Sequence, residues 1–572
     1  MTTHDTTIAP VRIGNASGFY GDRFSAMREM LDGGELDFVT GDYLAELTML
    51  ILGRDRLRDP SRGYASTFLR QMRECLALAQ ERGVRIVANA GGLNPKGLAT
   101  DLGELAADLG VTVAIAHVDG DDLVDRADEL GLGTPLTANA YLGAFGIATA
   151  LDAGADIVVT GRITDASLAV GPAASHFGWR HDDLDALAGA VAAGHVIECG
   201  TQATGGNYAF FTEIDDLSRP GFPIAEIAAD GSSVITKHPG TGGAVTVGTV
   251  TAQLLYEITG PRYLGPDVTT RMDSIALEQV GTDRVRISGV RGEAPPEHLK
   301  VSLNMLAGFR NEVTMVLTGL DIDAKARLVT EQFESSLATK PETLTWELSR
   351  TDRADGTTEA QSSALLRVIG KSRDADVVGR HFSAAAVELA LASYPGFTMT
   401  APPGKGAPYG VFEPGYVPAD AVHHRVTLPD GSVTVIEPSP LRGPSTPDAP
   451  ETASPARDWG PTTPAPLGLI AGARSGDKGG SANIGVWVRD PEHFAWLEET
   501  LTVEALRRLL PETEHLRIAR YRLRNLLAVN FVIEEILGRG VADNVRFDPQ
   551  GKGLGEWLRS RVVDIPQRFE VI

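Results

Sequence analysis

Cysteine is almost absent: the 572 residues hold two, Cys75 and Cys199. Two are too few for a disulfide framework or a cysteine-based zinc site. That scarcity suits a reducing compartment, and a cytoplasmic location is the expectation. Residues 1–10 (MTTHDTTIAP) have neither a basic start nor an apolar core, so no secretory signal is expected. No run of about 18 apolar residues occurs, which argues against a membrane-spanning helix. Positive charge is also short. Lys and Arg number 52 against 75 Asp and Glu, a net of −23. So acidic a surface repels phosphate backbones and argues against nucleic acid as a partner. A small anionic substrate remains compatible, because one pocket can be positive within a negative field.

Familiar catalytic signatures are missing too. There is no G-x-x-x-x-G-K-[ST] loop, no G-x-S-x-G elbow and no H-E-x-x-H helix. Gly131-x-Gly133 lacks the third glycine of a dinucleotide fingerprint. His423-His424 is adjacent rather than ligand-spaced, so neither a metal nor a bound cofactor is expected.

What is present is the composition of a folded protein, 43% hydrophobic and 22% charged. The length allows three or four domains at about 150 residues each. Over the first 200 residues short apolar strands alternate with helical patterns. Strands are expected at 11–14, 36–39, 84–88, 111–116 and 156–159, and helices at 23–31, 43–52, 68–81, 98–109 and 141–153. Gly83, Gly110 and Gly154 stand where helices should end. This rhythm predicts an α/β fold, a parallel sheet covered by helices on both faces. From about residue 200 the texture becomes α+β, with strands expected at 246–255, 284–290 and 312–319. The predicted organisation is a large domain over 10–436, a Pro-rich linker over 437–466 and a small domain over 467–566.

Chemistry is expected where strands end. The first strand runs into Asn15-Ala16-Ser17-Gly18, the second into Thr40-Gly41-Asp42, and the third into Asn89-Ala90-Gly91-Gly92-Leu93-Asn94. The fourth meets His117-Val118-Asp119, and the fifth Thr160-Gly161-Arg162-Ile163-Thr164-Asp165. Carboxyl ends of parallel strands share one edge, where ligands bind. Asn89, Gly91, Gly92, Asn94 and Arg162 are therefore candidate substrate-positioning residues. Two later stretches add polar density, His195-Val196-Ile197-Glu198-Cys199-Gly200-Thr201-Gln202-Ala203-Thr204-Gly205-Gly206-Asn207 and Lys237-His238-Pro239-Gly240-Thr241-Gly242-Gly243. There Lys237 and His238 offer a cation and a general acid or base. Glu198 suits either a general base or a structural hydrogen bond. Cys199 reads as a small buried apolar group unless something lowers its pKa. Thr204, Gly205, Gly206, Asn207, Thr241, Gly242 and Gly243 would bring amides and hydroxyls to a ligand. In the small domain, residues 471–483 (AGARSGDKGGSAN) read as a glycine-rich loop able to grip an anion through Arg474 and Lys478.

Together these motifs resemble the acyclic terpene utilisation protein A family. The matching pieces include Gly18-Phe19-Tyr20-Gly21-Asp22, Asn89-Ala90-Gly91-Gly92-Leu93-Asn94-Pro95, Thr160-Gly161-Arg162-Ile163-Thr164-Asp165, Glu198-Cys199-Gly200-Thr201-Gln202 and Lys237-His238-Pro239-Gly240-Thr241-Gly242-Gly243. The small domain resembles a ferredoxin-like module through Arg474-Ser475-Gly476-Asp477-Lys478-Gly479-Gly480. The resemblance implies catabolism of terpenes and branched acids through coenzyme A thioesters, alongside carboxylases, hydratases and dehydrogenases of acyl-CoA. It supplies no catalytic residues. The expectation is a lyase or hydratase acting on an acyl-CoA, with coenzyme A carried by the substrate. Asp165 or Glu198 would be the base, His238 the acid, and Lys237 the oxyanion partner. The alternative is a non-catalytic binding or assembly subunit of an acyl-CoA carboxylase or hydratase. A homo-oligomer is expected in either case.

Overall fold

The computed structural model describes residues 8–444 and 457–569. Chain order gives β1 (Val11–Asn15), β2 (Phe38–Gly41), β3 (Arg85–Ala88), β4 (Ile115–Asp119), β5 (Thr137–Ala140) and β6 (Ile157–Thr160). Five of these lie side by side in the order β1-β2-β3-β6-β4, all parallel. The exception is β5, which pairs with residues 301–304. β7 (Pro223–Ile227) runs antiparallel to β1, and β8 (Ser233–Lys237) antiparallel to β7. Further antiparallel strands complete a sheet of 11.

The strands are apolar on both faces because helices cover both. Side chains alternate across a strand, so Val39, Ile86 and Val159 join one apolar cluster and Phe38, Val87 and Val158 the other. The first is roofed by α1 (Ala26–Gly33), α3 (Ser66–Arg82) and α4 (Pro95–Leu109), through Met30, Phe68, Met72 and Leu102. The second is covered by α5 (Phe145–Asp152), α6 (Ser167–Phe177) and α7 (Leu184–Ile197), through Ile147, Val170 and Leu187. Each such buried side chain contributes roughly 1.5–3 kcal/mol. α2 (Glu46–Arg58) follows β2. α3 and α4 stop at the predicted glycines, Gly83 and Gly110, both in the left-handed region.

Two expectations need correction. Residues 141–153 are not one helix, since a loop precedes α5. Residues 246–255, read as a strand from their Thr and Val, form α8 (Val247–Leu254). There Thr246 and Thr249 exchange side-chain and backbone bonds in a reciprocal cap. A cap of this kind is worth about 1 kcal/mol, enough to offset weak local propensity once the helix packs.

The chain groups into two compact units, one of residues 305–411 with 542–547 and the other of the remainder. In the smaller unit, Ser363–Ser372 pairs with Thr343–Ser349 and with residues 309–318. Helices Ile322–Ser336 and Arg380–Glu388 set Phe333 and Phe382 edge to face beneath them.

The larger unit includes the C-terminal module. Its sheet is antiparallel, in the order Gly472–Lys478, Ser481–Trp487, Ala528–Ile533, Ile518–Leu523. Of the predicted linker, residues 445–456 lie outside the described residues. Its flanks are packed rather than free. Ser439 is buried, the Gly443 amide donates to the Pro295 carbonyl at 2.7 Å, and Thr462–Pro466 pairs with Val562–Pro566. Among the described residues no helix is long and apolar enough to cross a membrane.

Candidate functional site

At the carboxyl edge of the parallel strands many polar groups bind one another. Asn15 donates to the carbonyls of Ile197 and Glu198, at 2.7 and 3.2 Å. Asn89 donates to Asp42 at 2.6 Å and accepts the Tyr43 amide at 2.7 Å. Asp121 accepts from Asn139 and from the Arg162 amide, each at 2.8 Å. Asn94 caps α4 through the Gly97 amide. These side chains hold the loops in register, which is the turn chemistry of such residues.

The chemistry gathers next to them. Arg162 is buried, 2.7 Å from Asp165 and 4.3 Å above the Tyr141 ring. Burial works against the Arg162 charge, but Asp165, Tyr141, Glu46 and Asp42 outweigh it and raise its pKa. Tyr141 donates to Glu46 at 3.0 Å, and Lys300 lies 3.4 Å from the same oxygen. Burial pushes Glu46 up, yet Lys300, Arg162 and Lys478 hold it down to about 2.

Deeper in lies His195, in the last turn of α7, its Nδ1 3.0 Å from Glu198 Oε1. His195 is 2% exposed and Glu198 8%. Burial, then Asp165 and Glu257, push Glu198 well above the usual carboxylate range. Burial and Lys478 push His195 down to about 4. Burial thus favours the uncharged form of each partner across this 3.0 Å contact. The far atoms, His195 Nε2 and Glu198 Oε2, are buried with no hydrogen-bond partner among the described residues. An unsatisfied buried pair of this kind is where a substrate group or water is to be sought.

The C-terminal module completes the cluster. Along Gly472–Lys478 the side chains alternate, so Arg474, Gly476 and Lys478 share one face. Arg474 stacks 4.2 Å above Tyr256 and donates to Gln202 at 2.5 Å. A Cβ on Gly476 would lie 2.3 Å from the Tyr256 ring, so only glycine permits this approach. The Lys478 ammonium sits 5.7 Å above Tyr263 and makes no hydrogen bond or ion pair among the described residues. Asp477 is pushed up to about 8 by burial and by Glu257 and Glu46. Glu257 is raised by burial, with Lys478 opposing. Docking is fixed by Asn483, which donates to the Leu255 carbonyl at 2.7 Å and accepts the Glu257 amide at 3.0 Å.

Asp165, Glu198, Arg162 and Lys478 thus converge, with Arg474 beside them. The segment holding Arg474 and Lys478 is not the loop expected from its glycines. It is the edge strand of a β-hairpin, paired with Ser481–Trp487 on one side, and its side chains rather than a flexible loop backbone carry the charges. Lys237 and His238 stand elsewhere. Lys237 pairs with Asp283 at 3.1 Å and donates to the Thr241 carbonyl at 2.7 Å. His238 contacts the Met30 carbonyl at 3.0 Å. Thr204 lies against Gly243, and the Ala244 amide donates to the Thr204 carbonyl at 2.9 Å, whereas Gly205 faces Ile214, Gly206 faces Thr201, Gly242 faces Asp216 and Thr241 donates to the His238 carbonyl. Gly91 and Gly92 lie under close contacts from Pro95 and Leu52. Cys199 is a free thiol whose pKa burial and Glu198 raise. Sequence reasoning passed over His195, Glu46, Tyr141, Lys300 and Glu257. The three-residue spacing of His195 and Glu198 at a helix end was the one local signal available. Among the described residues no three His, Cys, Asp or Glu side chains are grouped to hold a metal ion.

Two family models match this chain. Acyclic terpene utilisation family protein AtuA covers residues 11–428, and the AtuA ferredoxin-like domain covers residues 465–564. No curated protein and no solved structure matches it.

Proposed function

The chain belongs to the acyclic terpene utilisation family, and from that premise we propose that it is an enzyme moving protons on an acyl-CoA thioester or related branched carboxylate, as a lyase or hydratase does. The observation that carries the reading is the His195–Glu198 pair, buried in 3.0 Å contact, each partner with one buried atom left free and its uncharged form favoured by burial. A neutral acid hydrogen-bonded to a neutral imidazole can deliver or take a proton near neutral pH, which is what α-proton abstraction and loss of a β-hydroxyl require. Asp165, on the accessible side of Arg162, suits the base nearest the substrate. Lys478, unpaired, suits a carboxylate or a developing enolate oxygen. In this scheme Glu198, its proton held by burial and its carboxyl against His195, takes the acid role that the sequence suggested for His238.

The test is a mass-spectrometric screen in heavy water with branched acyl-CoA thioesters and their 3-hydroxy forms. Deuterium gained at the α-carbon, a shift by one water, or carbon–carbon cleavage is the expected result. No change with any member of the panel would overturn the enzymatic reading in favour of the binding subunit.

A further inference from the structure

One segment borders two different places. Tyr141 stacks on Arg162, whereas Leu142, Gly143 and Phe145 line a separate, small cleft open to solvent. Its walls are largely aliphatic, from Leu142, Leu299, Val422 and Ile436. Within them sits one buried carboxyl, Asp267, which is 8% exposed. Its Oδ2 accepts the Ala144 amide at 2.7 Å. Among the described residues no cation pairs with it, and burial pushes it up to about 6. The one guanidinium in the lining, Arg442, is engaged by Asp420 at 2.9 Å and by the Ser439 and Leu441 carbonyls. Glu437 adds a second carboxylate to the lining. Ser439, whose hydroxyl accepts the Leu441 amide, and two imidazoles complete the polar inventory. His181 Nδ1 and His424 Nε2 are both buried without a hydrogen-bond partner. Burial lowers both pKa values, that of His424 to about 4.

The cleft therefore combines an aliphatic wall, an uncompensated buried carboxylate and two neutral imidazoles. Concave apolar sites with a few convergent polar groups are where small ligands bind. An anion would find no free cation there. A neutral head would leave the carboxylate without a counter-charge, which is costly in an apolar setting. An ammonium supplies the charge and up to three N–H donors. We propose that this cleft is a binding site for a small aliphatic primary ammonium, its charge against Asp267 and its hydrocarbon body against Leu142, Leu299 and Val422.

The test is calorimetry on the full chain near neutral pH with hexylamine, 1-hexanol and hexanoate. Hexylammonium should bind saturably at one site, with the alcohol and the carboxylate at least about tenfold weaker. Asp267→Asn keeps an acceptor for the Ala144 amide while removing the charge, and it should weaken the amine at least about tenfold. Val422→Trp should block the cleft without touching the carboxyl and should also abolish binding. Unfolding curves for both variants establish that each is folded. No saturable binding of hexylamine, equal binding by folded Asp267→Asn, or a preference for hexanol or hexanoate would each overturn the assignment. None of these readouts uses the His195–Glu198 pair, so the outcome is independent of the proposed reaction.

Discussion

Glu198 Oε1 lies 3.0 Å from His195 Nδ1, one helical turn earlier on the same segment, with both side chains buried. The desolvation that raises the acid lowers the imidazole, so burial favours the uncharged form of both.

Glu198→Gln keeps the shape and the acceptor oxygen but removes the proton. Exchange at the substrate α-carbon should fall by about 10²–10⁴, while the melting temperature stays level or rises. Heavy-water mass spectrometry with a parallel thermal scan reads both, and unchanged exchange would remove Glu198 from the mechanism.

Asp121 gives a pH signature. Burial pushes it up to about 7, well above the ordinary aspartate range. A raised acid favours the folded state while protonated. Its contribution is therefore full below the unfolded value and is lost as pH climbs from about 4 through about 7. Asp121→Asn should flatten that decline, by a few kcal/mol at most. Asn139 Oδ1, now without a partner, can turn to accept from the new amide. Urea midpoints measured across this pH range test it, and identical slopes would contradict it.

Gly476→Ala places a methyl against the Tyr256 ring, where the built Cβ stands 2.3 Å away. Overpacking of this kind costs about 1–3 kcal/mol. Shortening the opposing ring with Tyr256→Leu should recover part of the loss. Chemical denaturation of the single and double variants measures the coupling, and additive effects would show that the two positions do not meet.

A protease site inserted between Pro444 and Arg457 should yield two fragments that elute together. Asn483 binds the Leu255 carbonyl and the Glu257 amide, Trp487 stacks on Tyr208 at 6.3 Å, and Arg489 pairs with Glu213 at 2.7 Å. Sizing chromatography after cleavage decides it, and separate peaks would contradict the docking.

The parallel sheet was legible because its signals are local and strong. Val39, Ile86 and Val159 belong to apolar strands between glycine-closed helices, and any such strand must be covered on both faces. The family was equally legible, since its motifs are contiguous. α8 was not legible, because Thr and Val carry strand propensity and the reciprocal cap of Thr246 and Thr249 overrides it. The hairpin at 472–487 was hidden by its glycines, which read as a loop until Tyr256 is seen to need the space over Gly476.

Which polar groups come together lay beyond the sequence. Lys237-His238 and His195–Glu198 look alike in one dimension, each placing a basic or titratable group beside small polar residues. The sequence by itself determined the α/β sheet, the polar loops at its carboxyl edge and the family, because periodicity and motif order are properties of neighbours along the chain. Only the tertiary structure decided that Lys478 comes to Glu198 from 280 residues away and that Lys237 is already paired with Asp283. Charge state and solvation depend on what packs around a group, and that is fixed by contacts between distant segments.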